Sequence, residues 1–304
     1  MIPTPLVSIV IPTYNRAHDL VVALESVVCQ TYPHWEALVV DNHSVDNTAA
    51  VVQQFNDPRI KYLTVHNNGV IAVSRNLGIQ YASGEFVAFL DSDDFWRENK
   101  LAVSVDWLNQ GFDVLYHDMN LVYQDRSYLR QKRFVTRQVG SPVYADLLMH
   151  GNVIATSGVL VRTSLLRMVG GFSEDADLIA GEDYELWLRL GGVTERFKRL
   201  DTALGSLGRG SDNQFSSRRL ITILSYVEEH HLSRLPPELQ RLAHVNWLDY
   251  AYARSRYTQR DYAGAKRGLR RVLLSSPNWV FRLKAAWMLG VIAMRPSAGL
   301  PQSR

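Results

Sequence analysis

The sequence predicts an α/β protein with a mostly parallel sheet, helices on both faces and an all-helical C-terminal extension. Apolar strand patterns alternate with helical patterns through about the first 120 residues. Polar and acidic residues follow the ends of these strands, and only helical patterns occur after about residue 216. We therefore expect two domains, residues 1–215 and residues 216–304.

The two parts of the chain also differ in net charge. Residues 1–217 carry 18 Lys+Arg against 25 Asp+Glu, a balance of −7, whereas residues 218–304 carry 15 against 5, a balance of +10. This contrast suggests an acidic ligand-binding domain followed by a basic appendage. The single cysteine, Cys29, excludes an internal disulfide framework, so we expect a cytoplasmic protein. We expect no signal peptide, no membrane-crossing helix and no nucleic-acid partner.

Two apolar runs in the first domain, at residues 6–11 and 86–90, are typical of buried strands. Further strands are expected at residues 35–40, 60–65 and 114–119, with helical patterns between them. We expect Pro12 to stop the first strand. Neither GxGxxG nor GxxxxGK[ST] occurs after it, which disfavours a dinucleotide oxidoreductase and a phosphate-loop enzyme.

Three carboxylates, Asp91, Asp93 and Asp94, follow the strand at 86–90. Residues two apart share a face of an extended chain, so these carboxylates would repel one another unless a cation lay between them. Mg²⁺ and Mn²⁺ take oxygen ligands and commonly bridge to phosphates. The alternative is a solvated acidic turn before the next helix.

Polar residues after the other strands fit a nucleotide, because ligands bind at the carboxyl ends of such sheets. Tyr14 could stack on a base, and Asp41 could accept a hydrogen bond from a ring N–H. A metal at Asp93 could neutralise a diphosphate. Each residue has an alternative interpretation: Tyr14 as a packed turn aromatic, and Asp41 as a helix-capping turn residue.

Five blocks of sequence resemble, in order and spacing, the inverting family 2 glycosyltransferases of GT-A fold. They are VSIVIPTYNR at 7–16, LVVDNHSVDNT at 38–48, SRNLG at 74–78, LDSDD at 90–94, and GEDYELWLRL at 181–190 after GGF at 170–172. Together they extend over roughly residues 5 to 200.

This resemblance implies a role for each matching residue. Asp183 would be the general base that deprotonates the acceptor hydroxyl, and Asp93 would bind Mn²⁺ or Mg²⁺, with Asp94 as the alternative ligand. Residues expected to contact the substrates are Pro12, Thr13, Tyr14, Asn15, Asp41, Arg75, Asp91, Ser92, Glu182 and Arg209. The resemblance places Arg75 near the base or the diphosphate. Without it, Glu182 and Asp183 would simply be acids at a helix N-terminus, where the helix dipole favours them.

Two stretches depart from the family pattern. The second block reads Asp41-Asn42-His43 where relatives usually have two acids and a glycine. Residues 205–214 lack the histidine of many relatives, so Arg209 would have to supply the positive charge. Their glycines are typical of a mobile loop that could close over the donor, and a plain exposed turn is equally compatible with them.

Four helices are expected in the extension, at residues 220–229, 239–257, 262–274 and 279–294. The last is apolar but too short to cross a membrane, so we expect it to lie on an anionic membrane surface. The residues expected to contact lipid are Trp279, Phe281, Trp287, Met288, Ile292, Arg282, Lys284 and Arg295. Alternatively, these apolar residues pack on the catalytic domain or a second subunit.

The sequence therefore favours a metal-dependent glycosyltransferase that moves a sugar, most simply from a UDP-sugar, to a saccharide or lipid-linked acceptor in surface polysaccharide biosynthesis. One rival is a non-catalytic scaffold that binds nucleotide sugars and uses its helices for protein contacts. The presence of Asp91, Asp93 and Asp183 disfavours this alternative, because a site that has lost its activity has no reason to keep acidic residues crowded together. The other rival is a nucleotidyltransferase. Such an enzyme would normally carry a glycine-rich basic loop after the first strand, and residues 12–15 do not form one.

Overall fold

A computed structural model describes residues 4–122, 132–208 and 216–294. The chain forms two compact units, one of residues 1–147 and 152–214, the other of residues 148–151 and 215–304. The predicted domain boundary at 215/216 stays a prediction.

A nine-stranded sheet forms the centre of the first unit. Its strands are β1 Val7–Thr13, β2 Trp35–Asp41, β3 Ile60–Thr64, β4 Phe86–Phe89, β5 Phe95–Trp96, β6 Val114–Val122, β7 Lys132–Phe134, β8 Val159–Arg162 and β9 Phe197–Gly208. The helices before residue 208 are α1 Ala17–Val28, α2 Thr48–Gln54, α3 Ile71–Tyr81, α4 Lys100–Leu108, α5 Val143–His150, α6 Thr163–Met168 and α7 Glu182–Gly191.

The strand order is β3-β2-β1-β4-β8-β6-β9-β5, with β7 beside β6. The first four strands are parallel, as the alternating pattern predicts. The other half is mixed, because β8 is antiparallel to both β4 and β6 while β6 and β9 are parallel. Helices cover both faces, so the predicted fold class is confirmed.

Strands β1 and β2 are buried along their whole length, which explains their nearly continuous apolar sequence. The expectation that Pro12 ends the first strand is wrong: Pro12 lies inside β1 and is paired with Val40. The ladder between β1 and β4 ends at Val10, so beyond it β1 keeps ladder pairing only with β2 among the described residues. A proline is tolerated there because no ladder on the β4 side needs its missing N–H.

The carboxyl ends of the parallel strands meet at one edge of the sheet. Thr13 at the end of β1 is in register with Asp41 at the end of β2. The Asn42 amide donates to the Thr13 carbonyl at 3.0 Å. The residues that follow β1, β2 and β4 are thereby brought together.

The second unit contains five α-helices among the described residues: α8 Ser217–His230, α9 Pro237–Ala243, α10 Asp249–Thr258, α11 Tyr262–Ser275 and α12 Trp279–Ala293. The helix expected over 239–257 is divided by a π-helical turn at His244–Leu248. Apolar side chains of α10, α11 and α12 form a core, among them Ala253, Leu269 and Met288. In the described parts of the chain, no helix combines the length and apolar character needed to span a membrane.

Gly78 of α3 marks a close approach of this helix to the sheet. A Cβ atom there would lie 2.3 Å from Val10 Cγ1, and Val10 is fully buried in β1. We expect Gly78→Ala to lower the free energy of unfolding by about 1–3 kcal/mol through overpacking. Gly290→Ala is a control for adding a methyl group to a helix, since no atom lies within 4 Å of its added Cβ. It should raise stability by about 0.5–1 kcal/mol. Urea denaturation measures both effects, and unchanged stability of Gly78→Ala would contradict the close packing.

Candidate active site

A cleft of about 260 Å³ opens at the carboxyl ends of β1, β2 and β4. Six predicted site residues line it: Pro12, Thr13, Tyr14, Asp91, Ser92 and Asp93. Arg16, Asn42, Asn67, Gly69 and Ile71, which the sequence analysis did not select, complete the lining. Asn15, Asp41, Arg75, Glu182 and Asp183 are not among the lining residues, and Arg209 lies outside the described residues.

The loop after β1 is shaped by Asn15 and presents Tyr14 at the surface. Tyr14 is 54% exposed. Asn15 has φ +50, its backbone N–H donates to Ser44 Oγ at 2.8 Å, and its Oδ1 accepts from the Val45 amide at 2.8 Å. Asn15 therefore joins the loops after β1 and β2. The neighbouring Thr13 Oγ1 is buried, with no hydrogen-bond partner among the described residues.

Asp41 is almost fully buried, and both its oxygens accept hydrogen bonds. The Tyr62 hydroxyl donates to Oδ2 at 2.6 Å, and the Ser44 amide donates to the same oxygen at 3.0 Å. The Ser44 hydroxyl donates to Oδ1. Burial, and then the hydrogen bond to Asp41, raises the pKa of Tyr62. In this arrangement Asp41 fixes the loop, and a contact of Asp41 with a nucleobase stays a prediction.

Asp93 and Asp94 occupy different surroundings although they are adjacent. Asp93 lines the cleft, and its Oδ2 lies 3.2 Å from Arg16 NH1. Asp94 is buried, and its Oδ1 accepts from the Gly208 amide at 2.8 Å. Burial first, and then Asp91, raises the pKa of both carboxyls. Of the two, Asp93 is therefore the one placed to meet a ligand.

Gly208 allows this arrangement of the acidic turn. A Cβ atom on Gly208 would lie 1.9 Å from the Asp93 carbonyl oxygen, which no side chain could tolerate. The expected loop at 205–214 is wrong for its first part, because Gly205 to Gly208 belong to β9. Gly205 pairs with Trp96 and Ser206 with Phe95, so this glycine-containing segment is held in the sheet.

The acidic turn fits a divalent cation. Burial and the neighbouring Asp91 make the charged form of Asp93 unfavourable, and a cation would remove that cost. Among the described residues, no group of three or more His, Cys, Asp or Glu side chains is arranged to hold a metal by itself.

Arg75 is a buried cation between two acids from different elements. Its NH2 donates to Asp91 Oδ1 at 2.8 Å, and its NH1 donates to Glu182 Oε1 at 2.6 Å. The side chain is 4% exposed and its guanidinium carbon lies 5.2 Å from the Phe172 ring centroid. The predicted contact of Arg75 with a ligand stays a prediction. Its geometry favours a positioning role behind the cleft.

Asp183 is the second residue of α7, directly after Glu182, and its surroundings favour a basic carboxylate. Its Oδ2 accepts hydrogen bonds of 3.2 Å from Asn152 Nδ2 and from Thr156 Oγ1, and its Oδ1 accepts from the Tyr184 amide at 2.6 Å. Burial, and then the Glu182 charge, raises its pKa to about 6, against the opposing effect of Arg75. Such a carboxylate is ionised at neutral pH yet more basic than an ordinary aspartate.

A short 3₁₀ turn, Thr156–Gly158, contacts both groups of acids and was missed in the sequence. Thr156 donates to Asp183, while the neighbouring Ser157 Oγ accepts from the Asp91 amide at 3.0 Å. The Ser157 carbonyl accepts from Trp96 Nε1 at 2.7 Å. The sequence of this segment has no helical or strand periodicity. Its role becomes visible only through its hydrogen bonds to residues that are distant in sequence.

The chain is similar in sequence to known glycosyltransferases. Residues 8–159 match the family described as "Glycosyl transferase family 2". The Escherichia coli UDP-Glc:alpha-D-GlcNAc-diphosphoundecaprenol beta-1,3-glucosyltransferase WfgD is 36% identical over 187 residues, which cover 61% of this chain and 69% of that protein. The chain spans only 38% of the length of some other curated relatives.

Two solved structures share the fold. S. aureus TarS 1-349 in complex with UDP-GlcNAc superposes with a TM-score of 0.61 at 18% identity, covering 90% of this chain and 82% of that one. The mannosyltransferase PcManGT from Pyrobaculum calidifontis in complex with GDP-Man and Mn2+ superposes with a TM-score of 0.60 at 18% identity. The match covers 95% of this chain and 79% of that one.

Removing the Arg75 charge should destabilise the first unit strongly. We expect Arg75→Met to lower the free energy of unfolding by about 3–5 kcal/mol, because it leaves the buried Glu182 and the half-buried Asp91 without their cation. Arg75→Met/Glu182→Gln should be less destabilised than the single variant. Arg16→Met, which removes a more exposed ion pair, should cost no more than about 1 kcal/mol. Chemical denaturation checks all three, and equal losses for Arg75→Met and Arg16→Met would contradict the special role of the buried pairs.

Proposed function

Because this chain belongs to glycosyl transferase family 2, we propose that it is a metal-dependent, inverting enzyme that transfers a sugar from a UDP-sugar to a hydroxyl group of a saccharide or lipid-linked acceptor. The observation that carries the proposal is the arrangement around Arg75. It links an acidic turn in an open cleft to the first turn of α7, where Asp183 lies.

The donor would bind in the cleft between Tyr14 and Asp93. Tyr14 offers an exposed ring for stacking at one side, and the buried Thr13 hydroxyl offers a polar contact without a partner among the described residues. Arg16 brings a positive charge to the diphosphate side. The names of the E. coli relative and of the S. aureus complex, which include UDP-Glc and UDP-GlcNAc, support a uridine nucleotide.

Asp91 and Asp93 would hold the divalent cation together with the diphosphate. When bound, the cation supplies the positive charge that stabilises the leaving diphosphate. The Pyrobaculum mannosyltransferase, whose structure is a complex with GDP-Man and Mn2+, supports a metal of this kind. Ser92 would contribute polar contacts beside these acids, since it lies in the cleft wall.

Asp183 would accept the proton of the acceptor hydroxyl. The oxygen then attacks the anomeric carbon from the face opposite the diphosphate, the bond to the diphosphate breaks, and the configuration inverts. Asn152 and Thr156 hold the carboxylate in place. Its pKa of about 6 leaves it ionised and basic at neutral pH.

The acceptor class is inferred from relatives. The E. coli relative is named for a diphosphoundecaprenol-linked sugar, and other relatives are named for teichuronic acid and colanic acid biosynthesis. We propose a lipid-linked or growing surface polysaccharide as the acceptor of this enzyme. The cytoplasmic location stays a prediction.

The two neighbouring acids give a matched test of the metal site. We expect Asp93→Asn to abolish the Mn²⁺ dependence of UDP binding, because Asp93 faces the cleft. Asp94→Asn should bind within a few-fold of wild type, since its carboxyl is buried against the Gly208 amide. Titration calorimetry with UDP, with and without Mn²⁺, measures both. If only Asp94→Asn lost metal-dependent binding, Asp94 and not Asp93 would be the metal ligand. Absence of UDP binding by the wild-type protein would contradict the proposal that the donor is a UDP-sugar.

The base is tested by the release of UDP from a UDP-sugar. We expect Asp183→Asn to reduce the rate by about 10²–10⁴ and leave UDP affinity within a few-fold, because an amide cannot accept the proton. In the wild type, the rate should fall as the pH drops below about 6, where Asp183 becomes protonated. The control is Asp177→Asn, at an exposed aspartate of the same segment. Near-normal turnover by Asp183→Asn would exclude Asp183 as the base.

A further inference from the structure

Helix α12 carries two opposite apolar faces. One face is buried in the core of the second unit, through Ala285, Met288 and Ile292. Phe281 also packs inward, with its ring centroid 5.0 Å from that of Tyr250. The expectation that Met288, Ile292 and Phe281 contact lipid is therefore wrong, because these side chains stabilise the helix bundle.

The other face of α12 is exposed and consists of large apolar side chains. We call it the outer stripe: Trp279, Leu283, Trp287 and Met294, which are 68%, 61%, 71% and 79% exposed. At about 100° per residue, these four residues fall within about 80° of the helix circumference. Isolated exposed apolar residues are common, but an aligned set that includes two tryptophans indicates a binding surface.

Basic residues border the outer stripe on both sides. Arg282 lies about 60° from Trp279 on one side, and Lys284 lies about 60° from Trp287 on the other. Arg295, the third basic residue expected to contact lipid, lies outside the described residues. Helices α11 and α12 together carry six Lys and Arg residues and no Asp or Glu. One of the six, Arg271, is paired with Asp249 at 3.3 Å. The apolar surface is therefore framed by positive charge.

We propose that the outer stripe binds the surface of an anionic lipid bilayer. An apolar face with tryptophans, flanked by basic side chains, matches the boundary between acyl chains and anionic headgroups. Helix α12 has 15 residues and would be about 23 Å long, shorter than a bilayer core of about 30 Å. Because the inner face of α12 is packed in the protein core, the helix would lie parallel to the membrane surface with only the outer stripe in contact with lipid.

Charge opposes a symmetric contact between the helical regions of two copies of the chain as the occupant of this stripe. Residues 218–304 carry 15 basic and 5 acidic residues, so a second copy of this region would bring the same positive excess to the contact. Like charges brought together oppose association, whereas an anionic headgroup layer attracts each basic residue. This proposal goes beyond the proposed enzymatic activity and does not depend on it.

Vesicle sedimentation of the full chain tests the proposal. We expect binding to phosphatidylcholine vesicles that contain phosphatidylglycerol and much weaker binding to vesicles of phosphatidylcholine alone. Salt at about 1 M, where the screening length falls to about 3 Å, should also weaken binding. Trp287→Glu should weaken binding at least tenfold, because it places a charge in the apolar stripe.

Leu242→Glu is the matched control. Leu242 is an exposed apolar residue on α9, so the variant has the same charge change outside the stripe, and it should bind like wild type. Both variants should keep the wild-type melting curve and the wild-type rate of UDP release. Wild-type binding by Trp287→Glu, or no sedimentation of the full chain with anionic vesicles at low salt, would overturn the proposal. Self-association that Trp287→Glu abolishes in analytical ultracentrifugation would overturn it in favour of a second copy.

Discussion

The site depends on one buried guanidinium, that of Arg75, which is paired with acids from two separate elements. Asp91 follows β4, whereas Glu182 begins α7, and 91 residues separate them in sequence. A buried charge that loses its counter-ion costs several kcal/mol, so the fold is strongly biased to keep both pairs. Holding Glu182 also fixes the first turn of α7 and with it Asp183. The same buried ion pairs therefore fix the positions of the acidic turn and of Asp183, the proposed base.

Negative charge outweighs positive charge around Arg75, and the excess has two consequences. At the acidic turn, burial and Asp91 disfavour the ionised form of Asp93, which makes the site receptive to a cation. At α7, burial and Glu182 raise the pKa of Asp183 to about 6, which makes it a better proton acceptor. Crowded carboxylates thus serve both ends of the proposed reaction. The 3₁₀ turn Thr156–Gly158 contacts both groups and ties their positions together.

The parts of the fold that follow from local pattern were predictable from the sequence. The buried apolar runs located β1, β2 and β4, and the polar residues after them identified the cleft. What was missed depends on contacts between distant residues. Pro12 continues β1 because the ladder to β4 ends at Val10. Gly208 can continue β9 beside the acidic turn because it has no Cβ atom to collide with the Asp93 carbonyl oxygen. Likewise, α12 has apolar side chains on two opposite faces, so only its packing in the helical core separates the buried Met288 from the exposed Trp287.

Asn42, the departure from the family pattern beside Asp41, fits the electrostatics of the cleft. A second acid here would add negative charge to a cleft that already contains Asp91 and Asp93. Asn42 Oδ1 instead accepts from the Asn67 amide at 2.9 Å, so a neutral side chain joins the loop after β2 to the one before α3. The next residue, His43, has φ +53 at the position where the family pattern usually has glycine, and its ring centroid lies 3.7 Å from that of His66 in a stacked pair. The stack joins the same two loops. Asn42 therefore joins the two loops without adding charge to the cleft, and the acidic turn is the place where negative charge concentrates.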